Sequence, residues 1–201
     1  MRLHRLGETM GNFTNAKATT FFDIETTHLD PSRSAVLEIS IITDWESGNT
    51  DKWTTKIKPR PVELEFASEE ALKICGYNEE DWADAPTFEE VADTISRKLR
   101  FGPIIAHNID FDVSHLSAVF ERYGYKKWNR DSTEGEKTYS FGYPKIDTCA
   151  LSYLFLPTDR QNLDTLREHL DITGEGAHTA EKDVEDCRQV FYHILSNTVN
   201  N

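Results

Sequence analysis

An α/β fold, with a mixed five-stranded sheet flanked by helices, is what this sequence predicts. Apolar runs that read as strands lie near 18–25, 35–44 and 51–58, with the turn signal ESGN separating the second and third as in a meander. Two further strand candidates, near 103–106 and 144–148, alternate with longer segments of helical period, and such alternation builds a sheet with helices on its faces. The chain closes on a long helix from 179, in which Asp183, Val184, Cys187, Val190, Phe191, Ile194 and Leu195 recur at helical spacing.

The 201 residues, 38% hydrophobic and 11% aromatic, suit one soluble domain with a substantial core. That domain is expected over 19–198. Residues 1–18 lack the apolar run of a secretory signal and read as a loose, slightly basic extension, with Met10 as an alternative start. There is no internal repeat, no second domain and no run apolar enough to span a membrane. Cys75, Cys149 and Cys187 show no paired spacing, which argues against a disulfide framework or a zinc site and points to a reducing, cytoplasmic setting.

The chemistry is carried by acids. On a strand, residues two apart share a face, so Asp23 and Glu25 in TTFFDIETT project together, roughly 6.6 Å apart along the chain. Between Phe21, Phe22 and Ile24 their repulsion is poorly screened, and a divalent cation relieves it. An isolated Asp-x-Glu is common on solvated strands. Here further carboxylates occupy core-facing positions. The segment 106–123, AHNIDFDVSHLSAVFERY, reads as a helix whose apolar stripe begins at Asp112, with Asp110 expected as its N-cap. In the last helix Asp183 borders the apolar face, Thr179 is the expected N-cap, Glu181 suits the positive helix terminus, and His178 just precedes the helix.

In order, FFDIETT, AHNIDFD and HTAEKD resemble the three exonuclease motifs of the DEDD superfamily, in the histidine subclass that includes the proofreading epsilon subunit of bacterial DNA polymerase III, RNase T and oligoribonuclease. The segments 71–91 and 146–170 are similar to the epsilon-like branch, so the resemblance runs from about 19 to 195. It implies an RNase H-like sheet and 3′ to 5′ exonucleolytic release of 5′ mononucleotides from single-stranded DNA or RNA, DNA favoured. It implies two Mg²⁺ or Mn²⁺ ions held by Asp23, Glu25, Asp112 and Asp183, with Asp23 bridging both, and His178 as general base. The 3′ end contacts map onto Thr26, Thr27 and Leu29, with Asn108 and Phe111 as weaker candidates, Phe111 also reading as plain core. His28 stands where the epsilon-like pattern has glycine, and Cys75 where it often has histidine, serine or threonine. Tyr143 and Asp147 match the tyrosine spacing of the sister subclass, but they precede further helices instead of opening the last one.

A net charge of −13 is the wrong sign for a protein that grips long nucleic acid. Binding is therefore expected to rest on a short 3′ stretch. Lys126, Lys127 and Arg130 are the basic contributors to look for, in a stretch, KKWNRDSTEGEKTYSFGYP, that reads otherwise as a surface loop. Two other functions fit the motifs: a proofreading subunit partnered with a DNA polymerase, and an inactive nuclease fold serving as a binding module. The chain ends at Asn201, soon after the last helix and without the extension by which the epsilon subunit engages its polymerase, which favours a free-standing nuclease. The full set of five active-site residues disfavours the inactive module.

Overall fold

A computed structural model describes residues 17–199 of the chain. Residues 1–16 of the expected extension, Met10 among them, lie outside the described residues. The sheet has the order β3-β2-β1-β4-β7, with β1 (Ala18–Thr26) at its centre. β2 (Val36–Trp45) and β3 (Thr50–Lys56) run antiparallel in a meander, while β4 (Ile104–Ala106) and β7 (Lys145–Asp147) add in parallel on the other side. The expected mixed five-stranded sheet is thus present. The central strand is apolar on both sides because helices cover both faces, whereas β3, at the edge, is polar and largely exposed.

Four helices fill the first crossover: α1 (Pro61–Leu64), α2 (Glu69–Ile74), α3 (Glu79–Trp82) and α4 (Phe88–Leu99). Ser68 and Asn78 cap α2 and α3 through their side chains, and Thr87 with Glu90 forms a capping box at α4. Gly76, at φ 64°, supplies the left-handed residue that closes α2. After β4 come α5 (Ile109–Arg122), then, beyond β7, α6 (Thr148–Phe155), α7 (Leu163–His169) and the 20-residue α8 (Ala180–Val199). Thr179 caps α8 as expected, its hydroxyl accepting the Lys182 amide at 3.3 Å.

Two expectations need correction. Asp110 is not the N-cap of α5: the helix starts at Ile109, after Asn108 in a left-handed conformation (φ 67°), and Asp110 is exposed in the first turn, paired with Lys145 at 3.1 Å. The reason is long-range, because Asp147 accepts the Asn108 amide at 2.9 Å and turns the chain into the helix early. The stretch after Tyr125 is also more ordered than a loop. It contains a two-stranded parallel ladder of β5 (Lys126–Lys127) and β6 (Thr138–Tyr139), anchored by buried Tyr139, which stacks on Phe120 at 4.7 Å.

The alternation of β1 divides the core. Phe22 and Ile24 pack with α4 and α5, while Phe21 meets Val184, Cys187, Phe191 and Tyr192 of α8. Leu166 of α7 joins Val190 and Ile194 on the outer side of α8. A buried polar lock fixes the register of α8: Asp44 of β2 accepts two hydrogen bonds from Arg188, at 2.6 and 3.1 Å, and one from the Tyr192 hydroxyl at 2.9 Å. Phe21→Ala opens a cavity between β1 and α8 and is expected to cost about 3–5 kcal/mol, read as a lower denaturant midpoint at unchanged m-value.

Candidate active site

Asp23 and Glu25 point to the α8 side of the sheet with Phe21, and the Asp23↔Ser40 and Glu25↔Glu38 register lays β2 beside them. The register shifts by one residue between Glu25 and Thr26, which pairs with Val36, so the ladder kinks just beyond the two acids. Because Phe191 and Tyr192 seat α8 on Phe21, the first turn of that helix delivers Asp183. One carboxylate oxygen from each of Asp23, Glu25 and Asp183 lies within 4.8 Å of the others. Asp112, buried in the first turn of α5, approaches from the opposite face of β1 and forms part of the same electrostatic cluster.

The cost of gathering these acids shows in their protonation. Burial, then Asp112, Asp183 and Glu25, holds the Asp23 carboxyl well above the usual range. Burial, Asp183 and Glu38 push Glu25 up to about 8. Burial raises Asp112 well above its ordinary value, against backbone hydrogen bonds that favour its charged form, and it raises Asp183 against the pull of Arg167.

Two members of the cluster escaped sequence reasoning. Glu38 is brought opposite Glu25 by strand register, and its carboxyl is also raised by burial. Arg167 of α7 is 4% exposed and donates Nη2 to Asp183 at 2.5 Å, Nε to Asp186 at 2.7 Å and Nη1 to Asp164 at 2.7 Å. The same Asp183 oxygen accepts the His178 amide at 3.2 Å, so Arg167 and the turn before α8 converge on one atom and leave the other Asp183 oxygen to the cluster. His178 itself is exposed at φ 66°, with its ring in electrostatic reach of Asp183.

The residues expected at the substrate's 3′ end are arranged unevenly. Leu29 is 81% exposed on the loop after β1. Thr27 is buried and committed to that loop: its hydroxyl accepts the Ala35 amide at 2.8 Å, and its carbonyl accepts the Ser68 amide at 2.8 Å. Thr26 is half-buried, with its hydroxyl on the His28 carbonyl at 3.4 Å. His28 needs no glycine-like backbone; its Nδ1 accepts the Asp30 amide at 2.8 Å, and its carbonyl faces His115 at 3.0 Å. Asn108 is exposed, and Phe111 lies half-buried against the His115 ring at 4.0 Å. Cys75 comes close enough to Glu25 and Glu38 to feel their charge, which sets the α2–α3 turn beside the cluster. Asp147, by contrast, caps α6 through the Cys149 amide at 2.8 Å, and Tyr143 is 88% exposed.

With this geometry in place, the chain can be compared with known proteins. The exonuclease family model named for RNase T matches residues 20–191. The chain belongs to that exonuclease family. It is 25% identical to the DNA polymerase III epsilon subunit of Treponema pallidum over 89% of this chain and 77% of that protein. It is 26% identical to the PolC-type DNA polymerase III of Caldanaerobacter subterraneus subsp. tengcongensis over 87% of this chain, but it spans only 11% of that much longer protein. Among solved structures, E. coli exonuclease I in complex with a dT13 oligonucleotide superposes with a TM-score of 0.69 at 18% identity, over 90% of this chain and 41% of the other. The fold is accordingly the RNase H-like one of the DEDD exonucleases, as the three motifs led one to expect.

The raised carboxyls make the metal-free protein sensitive to pH. A group such as Glu25, whose folded pKa of about 8 exceeds its ordinary 4.5, favours the folded state fully below 4.5 and loses that contribution as pH rises towards 8. In EDTA the melting temperature is expected to fall between about pH 5 and pH 8. Glu25→Gln should flatten that decline in thermal melts across the same range.

Proposed function

We propose that the protein is a metal-dependent 3′ to 5′ exonuclease that releases 5′ mononucleotides from single-stranded nucleic acid, DNA in preference to RNA. The observation that carries this reading is the convergence of Asp23, Glu25 and Asp183 oxygens within 4.8 Å of one another, with Asp112 beside them. The donor set fits hard divalent ions: it is all oxygen, it has no thiolate, and burial with mutual repulsion raises its carboxyl pKa values, which a bound cation would offset. Two Mg²⁺ or Mn²⁺ ions held by Asp23, Glu25, Asp112 and Asp183 would supply water activation and stabilisation of the leaving oxygen.

The chain's own groups divide the remaining work. Asp23 occupies the centre of the cluster, between Glu25, Asp183 and Asp112, and suits a ligand shared by both ions. Arg167 and the His178 amide hold one oxygen of Asp183, so that its second oxygen is presented in a fixed orientation. His178, exposed at the rim, takes the proton of the attacking water as general base. Leu29, exposed on the loop after β1, would offer an apolar surface for the terminal base. Thr26, Asn108 and Phe111 would add further contacts to the 3′ end, whereas Thr27, its hydroxyl and carbonyl already committed, contributes by fixing the loop.

The epsilon relative and the exonuclease I complexes support single-stranded DNA as the substrate, and the polymerase relatives keep a proofreading role with a DNA polymerase as the second reading. Side-by-side digestion of matched DNA and RNA oligonucleotides, with Mg²⁺ or Mn²⁺ titrated in, tests the substrate and the metal together. Linear strands should be degraded with release of 5′ mononucleotides and circular ones spared; comparable cleavage of a circular strand would defeat the assignment. Replacing His178 with Ala should lower turnover by about 100-fold or more while Mn²⁺ affinity, followed by calorimetry, stays close to that of the wild type.

A further inference from the structure

The net charge of −13 hides a local reversal. Among the described residues most lysines and arginines are ion-paired, and five that are not fall together: Arg97 and Arg100 at the end of α4, and Lys127, Arg130 and Lys137 around the β5–β6 ladder. Elsewhere among the described residues, only Lys17, Lys58, Lys73 and Arg160 also lack an ion-paired acid. Between α4 and the ladder run two adjoining depressions of about 520 and 400 Å³, which share Ser96, Arg100 and Thr138; Asp93 and Glu136 also line the second, the one bonded to the Tyr125 hydroxyl and the other paired with Lys126. Trp128, 57% exposed, and Phe101, 39% exposed, stand at the first of them.

The surface is built and held. The Trp128 amide donates to the carbonyl of buried Tyr139 at 2.8 Å, the Lys126 amide to Lys137 at 2.9 Å, and the Gly142 amide to Leu99 at 2.7 Å, so the ladder is fastened to the end of α4. Phe101 packs on Trp45 at 5.9 Å, beside the start of β1, and Arg100 lies over the Phe101 ring at 5.3 Å. Cations at the end of a helix complement its dipole, which accounts for Arg97 and Arg100 separately. It does not account for an exposed tryptophan beside them, nor for Lys137 lining the same groove.

We propose that this groove is a second binding site for single-stranded nucleic acid, separate from the catalytic cluster. Bases stack on Trp128 and Phe101, while Arg97, Arg100 and Lys137 meet the phosphates. Aromatic rings interleaved with cations favour a single strand over a merely acidic polypeptide, which offers no bases to stack. The groove lies at the N-terminal end of β1, five residues and so about 16 Å along the strand from Asp23. A short product at the acidic cluster does not reach it, whereas a longer strand does. The site therefore anchors long substrates to an otherwise repellent protein and leaves the chemistry alone. This inference rests on the nucleic-acid reading of the active site.

The test uses the full chain and two labelled thymidine oligonucleotides, one of about 20 nucleotides and one of about 4, with Trp128→Ala, Arg100→Glu and their combination, each first shown to melt like the wild type. In EDTA, the 20-mer should bind the double variant at least about tenfold more weakly than the wild type. With metal, KM for the 20-mer should rise by a similar factor while kcat, and both constants for the 4-mer, stay unchanged. Equal 20-mer affinity in wild type and double variant would overturn the proposal. So would displacement of the 20-mer by an acidic peptide with no effect of Trp128→Ala, which would mark a protein-docking surface instead. If the wild type degrades no oligonucleotide yet binds the 20-mer through Trp128, the catalytic reading fails and the groove stands.

Discussion

The seating of α8 on the central strand is the interaction on which the rest depends. Phe21 is wedged against Phe191 at 5.4 Å and Tyr192 at 5.6 Å, and Asp44 grips Arg188 and Tyr192 from the neighbouring strand. Burying each such ring contributes about 1.5–3 kcal/mol. That apolar contact has to outweigh the repulsion it creates, because the same helix carries Asp183 into the company of Asp23 and Glu25. The protein tempers the conflict in two ways. The buried carboxyls hold their protons to higher pH than usual, and Arg167, itself flanked by three aspartates, lends a positive charge to Asp183.

What was legible in the sequence was whatever local period encodes. Asp23 and Glu25 declare themselves by strand alternation, and Asp112 and Asp183 by their places on apolar helical stripes. What was not legible depends on pairing between distant segments. Glu38 joins the cluster only through the β1–β2 register, and nothing within VLEISIITDW sets it apart from a solvated glutamate. Arg167 reads as an ordinary last-turn cation of LDTLREH, and its partners appear only when α7 packs on α8. Asp110 failed as a cap for a related reason: Asp147, 37 residues on, fixes the entry to α5, a tie that no window around AHNIDFD contains.

Charge illustrates the same limit. A total of −13 is a sum over the whole surface, whereas a ligand senses only what lies within a screening length of about 8 Å at physiological ionic strength. Most of the acids here are engaged in ion pairs, helix first turns and the buried acidic cluster, and among the described residues Arg97, Arg100, Lys127, Arg130 and Lys137 have no ion-paired acid of their own. Composition alone predicts a short footprint, and the folded distribution permits a longer one.

The left-handed backbone of His178 carries a consequence for anyone redesigning this chain. A non-glycine residue held at φ 66° costs of order 1 kcal/mol, and a stability-driven search of sequence space would replace it with glycine at once. Such a change would leave the amide's bond to Asp183 in place and the fold content, yet remove the imidazole proposed as the general base. On the proposed mechanism, thermal resistance is therefore a misleading objective at this position, and a library screened for melting temperature would drift towards well-folded proteins without a general base.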